Sequence, residues 1–251
     1  DVLKGYTFSL FVLCLTAFVF YLFTGGKITI EKVDIAYFKY GFEASINKGF
    51  NIALYSLGYY LTYYTLDSES VAIYFAAMLV AKVLWLIPDA IGNILYPKFL
   101  AMQNQAYNYN LEREIRKLSI LVLVFNLTIF AIFFLFGSYI FKLFFNENVY
   151  HEANNLFLIF LLGNYGMYFY KILSRYFASR GDWKVLRYSI LFSITVMVFL
   201  SFVLSALGVY GIAISCSVAF FLCGLALIAK SDFSAHVFIP MFKCCKYVVE
   251  F

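Results

Sequence analysis

Seven runs of about twenty apolar residues follow one another along this chain, and no other feature constrains its fold so tightly. In hydrocarbon each unpaired backbone N–H or C=O costs several kcal/mol, so such a chain must pair its backbone within helices or within a closed barrel. The runs fall at residues 5–23, 41–63, 71–96, 118–136, 154–172, 185–207 and 208–229. Strand-like alternation is scarce and there are only three prolines, which favours helices. Hydrophobic residues make up 64% of the chain and charged residues 13%, against roughly 45–50% and about 25% in soluble domains, so a water-soluble fold is excluded. The 31 Phe and 22 Tyr suit lipid-facing and interfacial positions respectively. The expected fold is an all-α integral membrane protein of about seven transmembrane helices, the third long enough to tilt or to kink at Pro88.

Orientation follows from the basic residues, because Lys and Arg are retained in short cytoplasmic connections while acidic residues count for little. Lys27, Lys32 and Lys39 fall between the first and second runs, and Lys98, Arg113, Arg116 and Lys117 between the third and fourth. Lys171, Arg175, Arg180, Lys184 and Arg187 fall between the fifth and sixth, and Lys230, Lys243 and Lys246 follow the seventh. The alternate connections hold Asp67 and Glu69, then Lys142, Glu147 and Glu152, then the uncharged residues 207–210. This unbroken alternation puts the C-terminus in the cytoplasm and Asp1 outside. The net charge of +5 is thus a topological signal and gives no reason to expect nucleic acid as a partner. A chain that starts outside without a cleavable leader reads as the C-terminal portion of a longer one. The expected organisation is a helix over 1–23, a cytoplasmic linker over 24–40, a six-helix lobe over 41–229 and a cytoplasmic tail over 230–251.

Charges inside the apolar runs narrow the search for function, since each costs about 2.5–3.5 kcal/mol on insertion scales and tends to line a cavity or find a partner. Besides Lys171 and Arg187, already counted with the connection between the fifth and sixth runs, four stand there: Glu43, Lys48, Lys82 and Asp89. At about 1.5 Å per residue, Lys48 and Asp89 both lie about 10 Å from the cytoplasmic ends of their helices, so they can pair if those helices are antiparallel neighbours. Lys82 lies about 20 Å in, with no acid at its depth on either helix, which points it at a watery cavity or an anionic ligand. Glu43, Asn47 and Asn51 recur at helical spacing beside Lys48, and Lys82, Asp89 and Asn93 follow i, i+7, i+11 on the next helix. The two helices are expected to share a polar seam, although snorkelling of Glu43 and interhelical hydrogen bonding by the Asn and Lys side chains would account for part of it.

No other chemistry declares itself. Cys14, Cys216 and Cys223 lie within runs, Cys244 and Cys245 in the tail, and His151 and His236 on opposite sides, so neither a metal site nor a paired nucleophile is expected. There is no Gly-rich phosphate loop and no connection long enough to fold into a catalytic domain, so neither an ATP motor nor an enzyme is expected. Asn126 and Asn164 are expected to hydrogen-bond neighbouring backbone rather than to form a site. Tyr55, Tyr59, Tyr60, Tyr63 and Tyr64, toward the outer end of the second run, fit an interfacial aromatic belt first and stacking on sugars second.

Residues 40–64 read YGFEASINKGFNIALYSLGYYLTYY, and residues 72–102 read AIYFAAMLVAKVLWLIPDAIGNILYPKFLAM. They carry a YG opening (Tyr40, Gly41), a Y-x-x-A-x-x-x-A segment (Tyr74, Ala77, Ala81) and an I-P-x-A-I-x-x-x-L-x-P ending (Ile87, Pro88, Ala90, Ile91, Leu95, Pro97). Further on, YFASRGDWKVLRY is followed by LGVYGIAIS, in which Gly208, Gly211 and Ala213 form a G-x-x-G-x-A turn. These stretches resemble Wzx-type O-antigen flippases and related polysaccharide export proteins of the MATE-like multidrug/oligosaccharidyl-lipid/polysaccharide superfamily. The resemblance implies the last seven of about twelve spans in a two-lobed flippase of the bacterial inner membrane, a count that agrees with the orientation derived from charge.

The resemblance also implies a substrate, an undecaprenyl-pyrophosphate-linked oligosaccharide such as an O-antigen or capsule repeat unit, moved by alternating access. Lys82, Lys48, Asn47, Asn51 and Asn93 would then bind pyrophosphate or sugar, and Asp89 or Glu43 would hold a coupling ion, H+ or Na+. The implied partners are membrane lipids, a preceding N-terminal lobe and the O-antigen assembly proteins; no cofactor is implied. Two other readings stay open: a multidrug exporter of the same superfamily, whose cavity would carry more acidic groups, and a membrane-embedded polysaccharide polymerase, which would carry a large external loop with arginines.

Overall fold

A computed structural model describes residues 35–102, 108–145 and 150–231, together with Val12, Leu15, Thr16 and Val19. The chain divides into two compact units, residues 1–41 and 42–251. In the first, those four residues are helical; the rest of the expected first span, and the expected linker up to residue 34, lie outside the described residues, as does the tail beyond Ser231.

Every described element is helical. The helices are α1 (Ile35–Thr65), α2 (Ser68–Leu84), α3 (Leu86–Met102), α4 (Asn108–Phe144), α5 (Tyr150–Ser179), α6 (Trp183–Val203) and α7 (Gly208–Lys230), with a 3-10 turn at Ser205–Leu207. Five stretches are long and apolar enough to cross a membrane: Ser68–Ala101, Lys117–Phe144, Glu152–Ser179, Trp183–Val203 and Ser205–Lys230. The protein is therefore an all-α membrane protein, and these five match the third to seventh expected spans. The 31-residue α1 covers the expected second span and is long enough to cross, but Glu43, Asn47, Lys48, Asn51 and its tyrosines keep it below the apolarity of the other five.

Helices outrun the expected spans at the basic ends. α4 begins ten residues before position 118, and α5 continues to Ser179, seven past position 172. A helix pairs its own backbone in water as well as in lipid, so the edge of an apolar run does not end it. What ends α5 is Gly181, at φ +73°: the Asp182 N–H bonds the Phe177 carbonyl (2.9 Å) and the Gly181 N–H that of Ala178 (3.1 Å), a Schellman cap. The cap returns the chain into α6 within three residues. At the other end of the bundle Asp67 caps α2, its carboxylate accepting from the Ser70 hydroxyl at 2.7 Å, which holds its acid below the usual carboxylate range.

The third span breaks one turn ahead of Pro88. Pro88 offers no N–H to the Leu84 carbonyl, and the helix is interrupted at Trp85, whose N–H turns to the Lys82 carbonyl (3.0 Å). The Ala81 carbonyl, left without its usual partner, accepts instead from the Asn164 amide of α5 (3.5 Å), and the Asn164 oxygen accepts from the Trp85 indole N–H (2.8 Å). Asn164 thus pairs the Ala81 carbonyl freed by the break and the indole of the residue at which it occurs. Asn126 likewise donates to the Leu161 carbonyl (3.2 Å), as expected of lone asparagines between helices.

α5 is the centre of the assembly, packing against α2, α3, α4 and α7. In its most apolar stretch 72% of residues are buried, against 22% in α4, whose Leu121, Val124, Leu127 and Phe134 point outward as lipid-facing side chains should. Lipid offers no hydrophobic drive to pair helices, so close backbone approach must supply it. Gly166 of α5 and Gly224 of α7 make that approach possible, because a Cβ on Gly224 would overlap the Gly166 carbonyl.

Candidate functional site

The largest described cavity, about 460 Å³, lies among α1, α3, α5 and the start of α6, within the about 300–1,000 Å³ of ligand sites. α1 contributes Ala44, Asn47, Lys48, Asn51 and Tyr55, spaced along one helix face, and α5 contributes Tyr170, Lys171, Ser174, Arg175 and Ala178 with the same periodicity. Asp89 enters from the first turn of α3. The tight Gly181 turn brings Trp183 and Leu186 to the remaining wall.

Three cations face one carboxylate in this cavity. Arg175 donates to Asp89 at 3.3 Å, and the Lys171 ammonium lies 3.9 Å from the same oxygen. Lys171 also sits over the rings of Tyr55 (5.2 Å to the centroid) and Trp85 (5.9 Å), whose π faces favour a cation. Lys48 makes no ion pair among the described residues. The Lys48–Asp89 pair open to the sequence does not form, because α5 presents Lys171 and Arg175 one turn apart to the same carboxylate.

Hydrogen-bonding capacity is left over. Asn47 is 4% exposed and donates to the Glu43 carbonyl (2.8 Å), while its side-chain oxygen has no partner. The Arg175 Nε is buried and unpaired as well. Orphaned buried groups cost about 1–3 kcal/mol each, so an acceptor and a donor without partners at the wall of a cavity mark a place where water or ligand completes the pairing. The Asn51 oxygen, by contrast, accepts from the Tyr55 hydroxyl (3.3 Å).

Of the residues singled out from sequence, Lys48, Asn47, Asn51 and Asp89 come together here. Lys82, Asn93 and Glu43 do not. The break at Trp85 ends the register on which i, i+7, i+11 depends, so Lys82 faces a separate cavity of about 210 Å³ beside Tyr55, Ser56, Tyr59 and Tyr60. Asn93 is exposed and lines neither cavity. Glu43 forms an ion pair with Arg187 of α6 and lines neither cavity. Lys171 and Arg175, read from sequence as topology-setting loop residues, lie instead in α5 and supply the cavity's charge. Their spacing of four, continuous with the apolar run and ahead of Gly181 as a stop signal, was the available clue.

Comparison of the sequence with protein-family models and with curated proteins, and of the fold with solved structures, finds no match.

Proposed function

We propose that this chain forms a lobe of a membrane transporter that moves a lipid-linked oligosaccharide, of the undecaprenyl-pyrophosphate type used for O-antigen or capsule, across a bacterial inner membrane by alternating access. The reading is supported by the charge of the first cavity: Lys48, Lys171 and Arg175 against the single carboxylate of Asp89, inside a helical membrane protein. A unit charge pair at 4 Å is worth about 4 kcal/mol at an effective dielectric of about 20, against about 1 in water, so these cations can offset the desolvation of a pyrophosphate. Asn47 and Ser174 offer hydrogen bonds to sugar hydroxyls, and Tyr55 and Trp183 offer ring faces. On this reading the basic residues at the helix ends lie on the cytoplasmic side, so that the cavity opens in the half where the substrate is loaded, with the C-terminus on the same side.

Asp89 then has a defined part. An anion that engages Arg175 and Lys171 releases the carboxylate they hold, leaving it free to take up H+ or Na+ and so link the two fluxes. A multidrug exporter is the weaker reading, since three cations would repel the cationic drugs such exporters carry. No covalent chemistry is assigned to the chain.

The test is equilibrium binding of a short-chain polyprenyl-pyrophosphate-linked N-acetylglucosamine to the full-length protein in nanodiscs. Lys171→Met with Arg175→Gln should weaken binding by at least thirtyfold, with loss of surface polysaccharide in cells. Equal affinity in the double variant would remove the cavity from the mechanism.

A further inference from the structure

We infer that a second station for the same sugar-bearing anionic headgroup lies beyond Tyr55, with Lys82 as its cation and tyrosine rings as its walls. The inference rests on the reading of the first cavity as an anion site and goes past it, since nothing in that reading requires a second binding place. Four observations carry it.

The second cavity holds about 210 Å³ and is bounded on α1 by Tyr55, Ser56, Tyr59 and Tyr60, and on α2 by residues that include Tyr74 and Lys82. Tyr55 also lines the first cavity and is the residue the two linings share. Its ring rests on Trp85, centroids 4.9 Å apart, which fixes it beside the break between α2 and α3. The lining face of α1 runs from Ala44 to Tyr60, about 24 Å at 1.5 Å per residue, which is most of the about 30 Å of hydrocarbon.

The charges are divided accordingly. Lys171 and Arg175 share Asp89, whereas Lys82 is exposed on α2 and has no ion-pair partner among the described residues. A lysine mid-span without an acid is stable only where water or an anion reaches it, and the cavity at its side supplies that place. Tyr59 meets Tyr60 at 6.0 Å and Phe75 at 5.9 Å, both edge to face, so the wall around Lys82 is built of rings held by one another. Rings beside a cation suit a sugar next to a phosphate. The helix break therefore does more than satisfy Pro88, because it distributes the cations into two successive cavities along α1 rather than one.

The experiment places a photoreactive benzophenone side chain at Phe75 in the full-length protein, reconstituted in phosphatidylethanolamine and phosphatidylglycerol vesicles. The probe is a fluorescent farnesyl-pyrophosphate-linked N-acetylglucosamine. Labelling at Phe75 should fall at least tenfold in Lys82→Met, and Lys82→Arg should restore it to within threefold, as a purely structural lysine stem would not require. Equal labelling in Lys82→Met overturns the second station even where Arg175→Gln still weakens probe binding, which leaves the first-cavity reading intact. If Arg175→Gln leaves binding unchanged, that reading fails instead. If phosphatidylglycerol labels the position and the probe does not compete, the site belongs to ordinary phospholipid and the inference is wrong.

Discussion

α1 and α5 line the same cavity and have nearly the same length, 31 and 30 residues, yet they are held in opposite ways. α5 is packed on several sides, with Gly163 and Gly166 against the backbone of α7 and Asn164 bonded into the break between α2 and α3. α1 touches the bundle at points: the ion pair of Glu43 with Arg187, Tyr55 on Trp85, Gly58 under Tyr74, and the buried Leu54 and Thr62. Between those points it borders both cavities described above and a smaller one of about 120 Å³ near Leu61, Thr65 and Ser201. The difference teaches how one bundle makes both frame and lining. Small residues let backbones meet and leave no space, whereas large polar and aromatic side chains hold a helix off and leave room that water or a ligand can fill.

The comparison breaks first, if it breaks, at the α5–α7 contact. Gly224→Val drives a side chain into the Gly166 carbonyl and should cost about 3 kcal/mol or more, whereas Gly49→Val on α1, with nothing within 4 Å of its Cβ, should cost under about 1 kcal/mol. Thermal unfolding in detergent measures both, and equal shifts would mean that α5 and α1 are held alike. Asp89→Asn comes next: it leaves Lys171 and Arg175 with no carboxylate, and with Asp89 about a third exposed the cost should be about 1–2 kcal/mol in the same assay. No loss there would mean that the triad carries no stabilising weight. Glu43→Gln is the smallest change, about 1 kcal/mol or less, and its effect should be local. Amide hydrogen exchange should quicken over residues 43–51 while residues 171–179 keep their protection. Quickening in both would mean that α1 and α5 open as a unit.

Much of the fold was legible in the chain. Runs of apolar residues near the thickness of a bilayer leave few alternatives to a helix, and five of them appear where expected. Half of the site was legible too, because Asn47, Lys48, Asn51 and Asp89 stood out as polar residues inside such runs. The other half was hidden by the rule that revealed the spans. Treating the end of an apolar run as the end of a helix turned Lys171 and Arg175 into loop residues, and carrying one helical register through residues 71–96 in spite of Pro88 put Lys82 and Asn93 on a face that Trp85 interrupts.

What the sequence determined by itself was membership of the membrane and the helical state, since both depend on composition summed over some twenty residues and on backbone groups that lipid cannot satisfy. It also determined the position of the break, through the N–H that Pro88 lacks. Only the tertiary structure decided which cations share a cavity. That depends on helix rotation and on which carboxylate a side chain meets from across the bundle: Asp89 met Lys171 and Arg175 of α5, and Glu43 met Arg187 of α6. Spacing along one helix fixes a face, but the neighbour that face meets is set by packing among helices that carry no mark of each other in sequence.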